Sequence, residues 1–182
     1  MIKNKFVILV NFLLLLIIVL NPVGSISARK DSSPYIISTR KIYTGKPYAS
    51  FTSLVNHEGR FYCAFREAKK HYDPSGEDVG VVKILYSKDG KRWQSFLTYS
   101  VDGIDLRDPK LTVTPEGKIM LLVEEVKYEK KVAVLRKTCV SFFSSNKLHT
   151  ELLPISFMSD MKWNWLWDIT WIEGTAYGYI YV

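Results

Sequence analysis

The chain has 182 residues and a formal charge of +7 at pH 7. No block of consecutive basic residues marks a nucleic-acid groove, and the positive surplus suits an anionic partner such as an acidic glycan only as a general tendency. Its two cysteines, Cys63 and Cys139, lie too far apart in too long a chain to form a disulfide framework. Each sits in an apolar strand-like run and is expected as a buried free thiol.

In chain order, Lys3 and Lys5 precede an apolar run from Phe6 to Leu20 broken only by Asn11, and the small residues Gly24-Ser25-Ile26-Ser27-Ala28 follow. A positive end, an apolar middle and small residues at a cutting site make a secretory signal over residues 1–28, with cleavage after Ser27 or Ala28 and a secreted or periplasmic product. Removing it takes the charge from +7 to +5, since it holds two lysines and no acid. The alternative is an uncleaved anchor, because Phe6 to Val23 approaches the roughly 18 to 20 residues that span a bilayer. The flank at Arg29-Lys30 is a weak stop-transfer signal, and no later segment has the length and apolarity to cross as a helix.

The rest of the chain repeats. Glu58-Gly59, Glu116-Gly117 and Glu173-Gly174 are spaced 58 and 57 residues apart, each between apolar strand-like segments. Strand, tight turn, strand predicts a hairpin each time. The following half of the unit repeats as well: Val81 to Leu97 aligns with Val132 to Leu153, placing Ser87 over Ser144 and Asp89 over Asn146. Period-two alternation, as in Arg60 to Phe65, marks sheet, and four-stranded units at this period predict an all-β propeller. Residues 34–102 form blade one, 103–160 blade two and 161–182 the start of blade three. A propeller of at least four blades would need at least about 230 residues, so about two and a half blades are expected here, as a fragment or a truncated reading frame.

Ser87-Lys88-Asp89-Gly90-Lys91-Arg92-Trp93 resembles the Asp-box of sialidases, in a form one residue shorter than Ser-x-Asp-x-Gly-x-x-Trp. Asp89 would accept backbone N–H groups across the turn, Gly90 would supply a positive φ, and Trp93 would pack beneath. The segments Phe65-Arg66-Glu67-Ala68, Asp105 to Lys110 and Trp165 to Trp171 are similar to those of exported sialidase-related propellers. The resemblance spans most of residues 47–182 and implies a sialidase-like β-propeller, six-bladed if complete. It implies an exo-acting glycoside hydrolase working on terminal sialic acid or a related glycan, or else a non-catalytic glycan-binding propeller. No cofactor is expected.

Sialidases hold the substrate carboxylate with three arginines, protonate the leaving oxygen with an Asp and use a Tyr nucleophile assisted by a Glu. Ser50 stands where the first of those arginines is expected, and the later arginines, the Tyr and its Glu would fall in blades beyond these residues. What remains is a partial set. Arg66 ends the second strand of blade one and reads either as a pocket arginine or as a surface arginine paired with a neighbour. Asp73, in the loop Lys69 to Asp78, is where the resemblance places the catalytic acid; its alternative is an ordinary Asp-Pro turn. His71 in the same loop binds a sugar hydroxyl or is merely solvated, and one His beside these acids does not make a metal site. Arg107 and Asp108 open the innermost strand of blade two and line the cavity or pair with each other. Among Trp163, Trp165, Trp167 and Trp171, Trp167 is the candidate for stacking on a sugar, the bland reading being core packing. Asp168 stands where close relatives would carry Arg.

Overall fold

The computed structural model describes residues 38–144, 151–156 and 165–181. The signal segment 1–28, Trp163 and most of the second turn motif, Ser145 to Lys147, lie outside the described residues.

All regular structure among the described residues is β. Four strands, β1 (Tyr48–His57), β2 (Arg60–Ala68), β3 (Val81–Ser87) and β4 (Gln94–Tyr99), pair in chain order as an antiparallel meander. The next four, β5 (Asp105–Val113), β6 (Ile119–Glu129), β7 (Val132–Phe143) and the short β8 (Leu153–Pro154), repeat that order, and β9 (Trp165–Ile172) pairs with β10 (Thr175–Tyr181) as a third hairpin. Successive four-stranded meanders stacked face to face are the blades of a β-propeller. No helix of the described residues is long and apolar enough to cross a membrane.

Alternation along each strand explains why the sheets stack. On β2, Tyr62 and Ala64 join a core shared with the second sheet, while Cys63 and Phe65 point the other way against Ile42, Tyr43 and Trp93. On β6, Ile119, Leu121 and Val123 fill that shared core, and Met120 and Leu122 pack with Leu166, Ile169 and Trp171 of the third sheet. A strand apolar on both faces is stable only between two layers, which places the second sheet between the first and the third. The bland reading therefore holds for Trp171, which packs against the core.

Both cysteines are free and buried. Burial raises the Cys63 thiol, and burial, assisted by the charge of Glu125, pushes Cys139 up to about 12.

The three Glu-Gly turns are not equivalent. Glu58-Gly59 and Glu173-Gly174 both have two positive φ angles, 49° and 70° in the first, 49° and 79° in the third. This is the mirror-image turn whose twist matches a two-residue hairpin. In the second hairpin Val113 pairs with Ile119, and a longer turn is closed by Gly117 N–H donating to the Thr114 carbonyl at 2.9 Å. Extra residues before Glu116 change the turn type while the strand register on either side persists. The β6–β7 turn also needs two positive φ angles, and here Lys130 (49°) and Lys131 (69°) supply them without glycine. Replacing Lys130-Lys131 by Asn-Gly is expected to stabilise the fold by about 1 kcal/mol, measured by denaturant unfolding.

Between β3 and β4, Asp89 Oδ1 accepts the N–H groups of Lys91 (2.9 Å) and Arg92 (2.8 Å), and Gly90 has φ 66°. Trp93 Nε1–H donates to the Gly90 carbonyl at 3.1 Å, and its ring packs on Cys63, Phe65 and Leu85. The Arg92 and Lys91 N–H bonds hold the Asp89 carboxyl well below its ordinary value of 3.8. A depressed folded-state pKa contributes stability that is present above about pH 4 and lost as pH falls through the folded-state value. Asp89→Asn should therefore lower the Tm at neutral pH, by a margin that narrows once pH falls below about 4, as melts at about pH 7 and about pH 3 would show.

Candidate functional site

The first strand of each sheet is interrupted at the same station. On β1, Ser50 pairs with Arg66 and Ser53 with Ala64, so Phe51-Thr52 oppose a single residue of β2. On β5, Arg107 pairs with Glu124 and Lys110 with Leu122, leaving Asp108-Pro109 in the bulge. On β9, Leu166 pairs with Ile180 and Ile169 with Gly178, leaving Trp167-Asp168. Pro109 is tolerated because a bulge residue owes no hydrogen bond to the ladder. Phe51 (φ 58°) and Asp108 (φ 46°) take left-handed backbone, a conformation that costs a side-chain-bearing residue roughly 1–3 kcal/mol and persists only where the surroundings fix it.

Opposite the bulges, Arg66 on β2 and Glu124 on β6 hold corresponding positions of successive blades, and each reaches the start of the next sheet. Arg66 is fully buried. Its Nε–H donates to Asp105 Oδ1 at 2.9 Å, and Nη1–H donates to the Lys70 carbonyl at 3.0 Å. Its Nη2 lies 2.8 Å from the same Asp105 oxygen, close enough for an ion pair but not aligned as a hydrogen bond. Asp105 also accepts Gly80 N–H at 2.8 Å and Arg107 Nη1–H at 3.3 Å. Gly80 has to be glycine, since an added Cβ would sit 2.3 Å from Arg66 Nε and 2.5 Å from Asp105 Oδ1. The surface-arginine reading of Arg66 is thus corrected: its partner is Asp105, across the interface between blades.

Glu124 is likewise buried. Its Oε1 accepts the Thr138 hydroxyl (2.6 Å) and Leu166 N–H (3.2 Å), while Oε2 has no partner among the described residues. Burial raises this carboxyl to about 7 against the opposing bonds from Thr138 and Leu166, and the charge of Asp108 adds to the rise. Asp108 is raised too, by burial, against the pull of Arg107, Lys110, Arg66 and His71. Its Oδ1 is also buried without a partner among the described residues. Glu124, with one buried oxygen unsatisfied among the described residues, retains its proton into the neutral range.

Around them stand His71, stacked on Tyr48 (5.3 Å between ring centres) and tilted against Phe51 (5.5 Å), and Lys110, whose ammonium lies 5.0 Å from the centre of the Trp167 ring. Arg107 also donates to the Tyr128 hydroxyl at 3.4 Å. Of the residues expected from sequence, Arg66, His71, Arg107 and Asp108 therefore share one electrostatic neighbourhood, and Trp167 joins it through Lys110. Asp73 does not. Its carboxylate closes its own turn, accepting Ser75 N–H (3.1 Å), Ser75 Oγ–H (2.8 Å) and Asp78 N–H (3.2 Å). Those bonds, Ser75 first, lower its pKa. That is the reverse of what a proton donor needs, so the turn reading of Asp73 is the one its surroundings favour.

Sequence reasoning passed over Asp105, Glu124, Phe51 and Lys110. Glu124 had a signal: it lies 58 residues after Arg66 in a 57–58-residue repeat, a charge inside the apolar run Ile119 to Val126. Because ionised Glu124 is disfavoured in the fold, the native state loses stability as pH rises from its ordinary 4.5 towards about 7. Glu124→Gln should gain Tm on wild type at about pH 8 and much less at about pH 5, in paired thermal melts.

No family model matches the chain, and no curated protein sequence matches it. Among solved structures it is similar to a GH130-family enzyme described as targeting β-1,2-mannosidic linkages in Candida mannan, at 13% identity over 59% of this chain and 31% of that one, TM-score 0.41. It is similar also to a glycosyl hydrolase from Bacteroides ovatus, at 16% identity over 51% and 28%, TM-score 0.38. A third is an α-L-arabinanase of Cellvibrio cellulosa complexed with arabinohexaose, at 8% identity over 59% and 36%, TM-score 0.40. The chain spans about a third of the length of these structures.

Proposed function

We propose that these blades belong to a glycan-acting propeller of the exo-sialidase type, a glycoside hydrolase whose acid–base chemistry lies at Asp108 and Glu124. The single observation that carries the reading is the pair of buried carboxyl groups, Glu124 raised to about 7 and Asp108 raised by burial, each with a buried oxygen lacking a partner among the described residues. Glycosidic bonds commonly break when one carboxyl group protonates the leaving oxygen while a carboxylate stabilises the developing positive charge; sialidases use a Tyr assisted by a Glu in place of the second group, so this pair departs from their scheme. Glu124, raised to about 7, keeps its proton into the neutral range and is the acid of this reading, with Asp108 as the second carboxyl group. The choice of an acidic sugar rests on the resemblance of the Ser87–Trp93 turn to sialidases. The three cations near Asp108, namely Arg107, Lys110 and Arg66, also support it, and His71 lies beside them. Arg66 is spent on Asp105, so a substrate carboxylate would meet Lys110 and His71, the more open members of that set.

A second reading, a propeller that binds glycans without cleaving them, is favoured by Ser50 where the first arginine of a sialidase is expected. Release of sialic acid from 3′-sialyllactose by the full-length protein, followed from about pH 4 to about pH 9, separates the two. Hydrolysis is expected with an alkaline limb near the Glu124 value of about 7, and Glu124→Gln and Asp108→Asn should each lower kcat by at least about 100-fold while remaining folded. A folded wild-type protein that binds the sugar and leaves it intact would establish the second reading.

A further inference from the structure

Three successive inner strands carry the same two-for-one bulge, and the first residue of each bulge is Phe51, Asp108 and Trp167 in turn. A bulge re-aims a side chain away from the face that strict alternation would give it. The strain is tolerated by a bulky Phe at φ 58° on β1 as well as by Asp108 on β5. Neither position gains a ladder hydrogen bond from it, so the return lies in where the side chain points.

Ring contacts and proximity link all three positions. The Phe51 ring tilts against His71, which neighbours Asp108; Lys110 also neighbours Asp108 and lies over the Trp167 ring. Strand β5 touches both β1 and β9, so Asp108 stands between the two aromatic residues. Trp167 is 44% exposed and Phe51 partly so, in contrast to Tyr62 and Trp171, which pack into the sheets. Open aromatic rings on either side of a carboxyl group match the alternation of a glycan, in which the apolar C–H face of each sugar ring is a stacking surface and the linking oxygen between rings is the polar point.

We propose that Phe51 and Trp167 are the aromatic walls of the glycan site, each stacking on a different sugar ring, with the linkage between those rings presented to Asp108. The inference rests on the glycan-acting reading and deepens it: the ligand spans at least two sugar units, one on each side of β5. Phe51 is then a specificity-determining residue, and its left-handed backbone is the cost of presenting it.

Calorimetric titration of the full-length protein with 3′-sialyllactose, free N-acetylneuraminic acid and lactose tests this, with thermal melts alongside. Phe51→Ala and Trp167→Ala are each expected to weaken 3′-sialyllactose about three- to tenfold. One variant should weaken the acidic monosaccharide and the other lactose, since each wall serves one side. Phe51→Gly should weaken 3′-sialyllactose equally while keeping or raising the Tm, because glycine adopts the required φ without strain. The inference is overturned if either alanine variant binds 3′-sialyllactose within about twofold of wild type, or if Phe51→Gly lowers the Tm and leaves binding intact, which would make the ring structural. A wild-type protein that binds none of the three sugars overturns the glycan reading itself.

Discussion

A single buried carboxylate ties the first blade to the second. Asp105, at the first position of β5, receives Arg66 from β2, the Gly80 N–H from the segment before β3, and Arg107 from its own strand. Charged groups this deep are stable only when paired and hydrogen-bonded, and removing one partner of such a pair typically costs about 3–5 kcal/mol. The same contact fixes the loop between β2 and β3, because Arg66 also holds the Lys70 carbonyl while Asp78 accepts the N–H groups of Lys69 and Lys70 at 2.8–3.1 Å. Leu106 N–H donating to the Gly80 carbonyl and Leu111 N–H donating to Ser53 Oγ extend the join along β5. His71 owes its place against Tyr48 and Phe51 to this anchored loop.

The next interface is joined from the corresponding position with the opposite charge. Glu124 accepts Leu166 N–H at the start of β9, as Arg66 engages Asp105 at the start of β5. The neighbouring residues repeat more faithfully: Glu67 lies 3.6 Å from Lys83, and Glu125 lies 2.8 Å from Lys137, each pair linking the second strand of its sheet to the third. One backbone thus carries a charge whose sign differs between blades, beside an ion pair that is kept. In the first blade the arginine is ion-paired with Asp105. In the second, no cation among the described residues is hydrogen-bonded to the carboxyl group, and burial makes it hold its proton more tightly.

Sequence periodicity was enough to read the hairpins, the four-strand unit and the turn at Ser87–Trp93, because those features rest on alternation and on local hydrogen bonds between residues close in the chain. Arg107, Asp108, His71 and Trp167 stood out because charges and exposed aromatics at strand ends need a reason to be there, and the fold brings them into one neighbourhood. Arg66 was found as a residue but not in its role. Its partner Asp105 is 39 residues away, and nothing local distinguishes a buried ion pair between sheets from a solvated arginine. For Asp73 the local sequence carries more, since its Asp-Pro-Ser turn accounts for its carboxylate within five residues. Phe51 was hidden because a bulge is a property of pairing between strands: Ser50 to Ser53 read as an ordinary alternating strand until their partners on β2 are known.

The two thiols carry a last consequence, for the surroundings in which this fold can persist. Disulfide exchange and oxidation proceed through the thiolate. Cys63 and Cys139 are buried and held protonated, the latter with a pKa near 12. Neither has appreciable nucleophilic character while the sheets remain stacked. Burial thus keeps both thiols slow to react while the sheets remain stacked, and unfolding would expose them as reactive groups.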